Sequence, residues 1–205
     1  MTGFFYSNTM DTIANFISHV KKECKTHGVK CDLRNTTYVK ISNSIKASGY
    51  FDETGPTLVC SMKHIDFIEI LAHEYGHLTQ WKENVDIWKA VEVSMPALDL
   101  WLSGEEVENI ADHIAACRDL ELDNEKRTVK IIKEFNLPIN ITQYIKKANA
   151  YVHFYNYMLV SRRWCTPKNS PYTNKRVIES MSGKFDMEYN MMSKEIQDIF
   201  TEEGF

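Results

Sequence analysis

Apolar side chains recur along the chain with two different periods. From Thr9 to Thr26, Ile13, Phe16, Ile17 and Val20 return every three or four residues and Gly28 follows as a stop, so the pattern predicts a helix. Residues 36–42 (TTYVKIS), 47–52 (ASGYFD) and 57–62 (TLVCSM) read as strands, and ETGP between the last two is a hairpin turn. A second helical stretch, HIDFIEILAHEYGHLTQWK, has its start marked by Asp66 and Glu69. Residues 84–102 carry tryptophan-flanked apolar clusters interrupted by Pro96, which predicts short helices with a break. Residues 103–118 (SGEEVENIADHIAACR) predict a helix capped by Ser103. Beyond Pro138, residues 140–164 read as one long helix, and a shorter one closes the chain near residues 190–200. A helix, a small antiparallel sheet and then mainly helices place the fold in the α+β class.

Composition narrows the picture. A chain of 205 residues favours a single domain spanning 1–205. With 43% hydrophobic and 25% charged residues it buries an ordinary core and needs neither metal nor disulfides simply to fold. The net charge of −4 excludes the strongly basic footprint of a dedicated nucleic-acid binder. No run of about 18 apolar residues is present, so no membrane helix is expected. The first residues, MTGFFYSNTMDTIANF, lack the basic-then-apolar order of a signal peptide, and the expected location is the cytoplasm. Cys24, Cys31, Cys60, Cys117 and Cys165 form no CxxC pair, which argues for reduced, mostly buried thiols rather than zinc knuckles.

One segment carries chemistry: His73-Glu74-Tyr75-Gly76-His77, an HExxH. On a helix, positions i and i+4 share a face, so both imidazoles reach one metal ion. Zinc suits imidazole and carboxylate donors and brings the pKa of a bound water towards about 7. Glu74, next to the first histidine, reaches that water without ligating the metal and can take its proton. With 7 His and 17 Glu in the chain, chance would produce the pattern only about 0.02 times, so a pair of surface histidines is the poorer reading. Gly76, in mid-helix, costs about 1 kcal/mol against Ala, which suggests close packing against that turn.

A third ligand must come from elsewhere. Glu108-Asn109-Ile110-Ala111-Asp112 begins 31 residues after His77, inside the predicted 103–118 helix. There Glu108, Asp112 and Ala115 lie along one edge, and small Ala111 and Ala115 let that edge approach the first helix. Glu108 is placed to ligate, and Asp112, one turn on, to accept an N–H from a ligating histidine. Glu105, Glu106 and His113 compete but fall at the periphery or the far side. Were this helix to continue, Glu121 and Glu125 would fall on its apolar stripe, where unpaired carboxylates are costly. The reading therefore ends the helix near Leu120, the alternative being pairs with Arg118, Arg162 or Arg163.

LAHEYGHLTQ followed by ENIAD resembles the gluzincin branch of the zincin metallopeptidases, over roughly residues 36–116. The resemblance implies an HExxH helix packed on a small sheet whose edge strand binds substrate as an added strand. It also implies one zinc ion held by His73, His77 and Glu108, with Glu74 as general base and Asp112 orienting a ligand. On this view residues 1–82 supply the helix, the sheet and the HExxH helix, and residues 83–205 complete the metal site. The stretch from LELDNEKRTVKII to KKANAYVHFYNYM is also similar to small metallopeptidases encoded by tailed bacteriophages, whose setting is the host cytoplasm.

Other features have plainer readings. Tyr144, Tyr151 and Tyr155 share a face of the long helix while His153 points elsewhere; an aromatic packing face is the default, an oxyanion donor the functional alternative. His64 is a loop or capping residue, and His19 and His27 are expected in solvent. Arg162-Arg163-Trp164 and Lys168 to Arg176 make a locally basic, solvated stretch. The function expected is a zinc peptidase acting on a peptide or protein, with no membrane and no dedicated nucleic-acid partner. The competing reading is a zincin-fold binding or regulatory protein without useful turnover. Glu74 favours the enzyme, since a purely structural HxxxH site has no use for that carboxylate.

Overall fold

The helices and strands follow one another as α1 (Gly3–Thr26), β1 (Lys30–Arg34), β2 (Val39–Lys40), β3 (Lys46–Ala47), β4 (Gly49–Asp52), β5 (Thr57–Ser61), α2 (Phe67–Glu83), α3 (Asp86–Leu102), α4 (Ile110–Glu134), α5 (Ile141–Ser161), α6 (Lys175–Ser180) and α7 (Lys194–Glu202). This computed structural model describes residues 3–41, 46–83, 85–166 and 168–205, and for residues 3–8 the backbone alone. The class is α+β and mostly helical. Among the described residues, no helix is long and apolar enough to cross a membrane. The chain forms two compact units, Met1–Glu83 with Lys126–Ile139 and Asn84–Glu125 with Asn140–Phe205.

In the first unit the expected strand at 57–62 is the centre of a three-stranded sheet, order β1-β5-β4. The hairpin through ETGP is present, with Gly49 opposite Cys60 and Asp52 opposite Thr57. The sheet is mixed rather than antiparallel, because β1 runs parallel to β5. KCDLR was not legible as a strand, since its lysine, aspartate and arginine break any run of β-formers. Only Val39–Lys40 of the expected 36–42 strand is extended pairing, against Lys46–Ala47, and residues 42–45 lie outside the description. Leu58, Val59 and Cys60 are fully buried, as are Leu71, Ala72 and Leu78 of α2 and Phe16 and Val20 of α1. Tyr75, inside the HExxH, turns towards α1, its hydroxyl 2.9 Å from His19 Nε2 and its ring edge-on to Phe16. His19 is therefore half-buried against Tyr75 and Phe135, not in solvent as its position suggested. Lys82 and Glu23 close the far end of the α1–α2 contact at 2.9 Å.

In the second unit, α3 is one helix through Pro96, where a break was expected. Its buried face, Val91, Ser94, Leu98 and Trp101, continues across the proline, and that packing offsets the lost hydrogen bond. Ser103 ends α3 instead of starting the next helix: its N–H reaches the Asp99 carbonyl at 3.0 Å. Gly104 at φ 110° and Asn109 at φ 53° hold the left-handed region, so residues 103–109 cannot continue a helix. The helix expected over 103–118 is thus shifted, beginning at Ile110 and running to Glu134.

The buried polar residues of α4 explain why it does not stop near Leu120. Glu125, fully buried, accepts hydrogen bonds from the hydroxyls of Tyr144 and Tyr172. Arg118 is spent on Asp119, Asn156, the Tyr189 carbonyl and Asn190 rather than on either glutamate. Replacing Glu125 by Leu strips both tyrosines of an acceptor. The variant is expected to lose about 2–4 kcal/mol of stability in urea unfolding, against a near-neutral result if the bonds carry nothing. The basic stretch is also committed: Arg162 donates to the Trp101 and Glu105 carbonyls, and Arg176 pairs with Glu202 and Glu203.

Candidate metal centre

The HExxH sits in the middle of α2, where apolar Leu71, Ala72 and Leu78 fix the helix on the sheet and leave His73 and His77 half-buried on another face. The two imidazole rings are 4.8 Å apart, centroid to centroid, and nearly perpendicular. Glu74, on the next face round, is 7% exposed and lies under β4. Gly76 is buried.

The tautomer of His77 is set locally. Its Nδ1 donates to Gln80 Oε1 at 2.9 Å, one turn along, and Gln80 is fully buried. That leaves Nε2 with a lone pair for a metal, the arrangement in which an outer hydrogen bond orients a ligating histidine. Removing this bond by Gln80→Leu is expected to weaken zinc binding by about 10–100-fold, measured by competition with a chelator of known affinity. An unchanged affinity would show that the ring is held by packing alone.

Within the first unit, His73 and His77 offer a metal ion two imidazole nitrogens from one face of α2. Imidazole is a donor that zinc favours, and the two residues fit the ion.

In the first unit the last part of α4 is anchored on α2 and α1: Arg127 donates to Glu83 at 2.7 Å and approaches Thr79 Oγ1 at 3.4 Å, and Phe135, just past the helix end, packs on Phe16 at 5.1 Å. In the second unit, Tyr151 and Tyr155 of α5 have their hydroxyls 3.2 Å apart. Burial, and then the negative charge of Glu121, push both phenols above their ordinary value, so they stand protonated as donors.

The structure brings His73 and His77 together on α2, and Glu108 and Asp112 belong to the second unit. Glu108 is exposed in the turn before α4, and Asp112 is exposed in its first helical turn. Glu105 and Glu106 are exposed in the same connection, and His113 meets Ser94 Oγ at 3.1 Å. One residue escaped the sequence reading: Gln80, whose side-chain oxygen accepts the hydrogen bond of His77 Nδ1. Comparison with protein-family models, characterised proteins and solved structures finds no match to this chain.

Proposed function

We propose that the protein is a zinc-dependent peptidase of the zincin kind, its metal held by His73 and His77. The observation that carries this reading is the pairing of the two imidazoles on α2, their rings 4.8 Å apart, with Glu74 buried beside them. A zinc ion in such a set supplies a Lewis acid and brings a water towards a neutral pKa. Glu74 takes the proton of the attacking water on a carboxylate oxygen and returns it to the departing amine nitrogen, while the scissile C–N bond breaks. Its low exposure keeps bulk water away from that exchange and strengthens its charge interactions. Gln80, through His77 Nδ1, holds the imidazole in the ligating tautomer. His73 and His77 are half-buried, so a peptide carbonyl can approach them.

The test is metal content and turnover on one preparation. The tag-free protein is expected to hold one zinc per chain and to cleave members of a peptide library. 1,10-Phenanthroline should stop the cleavage and added zinc restore it. A fully zinc-loaded protein that cleaves no peptide would overturn the peptidase reading.

A further inference from the structure

Gly49 opens β4, opposite Cys60 of β5, and the strand passes over α2 at the HExxH. Its φ is not in the left-handed region, so backbone conformation does not require a glycine there. Space does. A Cβ at this position would stand 2.7 Å from Ile70 Cγ2, 3.0 Å from the Val59 carbonyl oxygen and 3.1 Å from Glu74 Cγ. Ordinary carbon contacts are about 3.5–4.0 Å.

The three neighbours differ in how far they can give. The Val59 oxygen belongs to the backbone of the central strand and is held by its ladder. Ile70 is β-branched on a helix, which leaves it one preferred χ1 rotamer. Glu74 is unbranched, so its Cγ has more than one staggered χ1 position open to it, and a methyl group on residue 49 displaces Glu74 first. A second observation sets Glu74 against the same strand pair: the thiol of Cys60, the ladder partner of Gly49, is pushed up by burial and then by the Glu74 charge.

We propose that Gly49 is a positioning residue for the reaction: the bare backbone of β4 is the wall that aligns the Glu74 carboxylate beside the His73–His77 pair. This rests on the peptidase reading above. The glycine binds neither substrate nor metal; it acts through Glu74, and no side chain can replace its absence of one.

The experiment is a double-mutant cycle on the zinc-loaded protein with Gly49→Ala and Glu74→Gln, reading zinc per chain, kcat and KM. Gly49→Ala is expected to keep one zinc, to leave KM within about twofold and to lower kcat by about 10–100-fold, the loss that misplacing a reacting group brings. On the Glu74→Gln background the same change should cost less than about twofold. Equal losses on both backgrounds, or loss of zinc, would overturn the assignment, because either means general disruption of the fold or the metal site. If Gly49→Ala alone melts below the assay temperature, pairing it with Ile70→Ala removes the closest contact and keeps the one with Glu74 under test. A zinc-loaded wild type that cleaves nothing sinks the peptidase reading and the role of Gly49 together. A wild type that cleaves, matched by Gly49→Ala within about twofold, sinks the role of Gly49 alone.

Discussion

Glu74→Gln is expected to retain one zinc per chain and to lose peptide hydrolysis by about 10²–10⁴-fold in kcat, the range that a positioned general base contributes. The substitution is close to isosteric, and at 7% exposure the side chain sits in a volume that glutamine fills equally well. Packing and metal binding should therefore survive it. What glutamine lacks is a basic oxygen at neutral pH, so the water proton has no local destination. The expected signature is a fall in kcat with KM little changed, since the carboxylate acts in the transition state and not on the bound substrate. Zinc content by elemental analysis separates this outcome from loss of the metal site. Activity within about threefold of wild type would remove Glu74 from the mechanism and leave the fold and donor cluster as they are.

Much of the first unit was legible because its signals are local. The i, i+4 spacing of His73 and His77, the apolar flanks of α2 and the hairpin through ETGP are read within a few residues of one another. What the sequence concealed was long-range. β1 is extended because β5 lies beside it, and its own residues do not ask for a strand. The shifted start of α4 depends on two left-handed residues, Gly104 and Asn109, whose conformation nothing nearby dictates. The persistence of α4 past Leu120 depends on Tyr144 and Tyr172, remote in sequence, which satisfy the carboxylate of Glu125. Expecting buried acids to be costly was sound physics. Placing the helix end there was the error, because the cost is met by partners from elsewhere in the chain.

His77→Ala is expected to weaken zinc binding by at least about 100-fold, more than the loss of an outer hydrogen bond such as that of Gln80. The ring it removes is half-buried and supplies one of the two imidazoles of α2, so the change deletes a donor and leaves the buried face of the helix, Leu71, Ala72 and Leu78, as it is. Thermal unfolding gives an independent readout. Zinc at about 100 times its Kd stabilises the wild type by about 2.7 kcal/mol, and a chelator removes that increment. At that zinc concentration a protein bound about 100-fold more weakly keeps only about 0.4 kcal/mol of it, so His77→Ala should melt nearly alike with and without chelator. Glu108→Ala and Glu121→Ala, read in the same assay, name the carboxylate that completes the set as the one whose loss removes the shift. A full wild-type shift in His77→Ala would mean that the ion is held away from α2, and the HExxH would then be a helix surface and not a metal site.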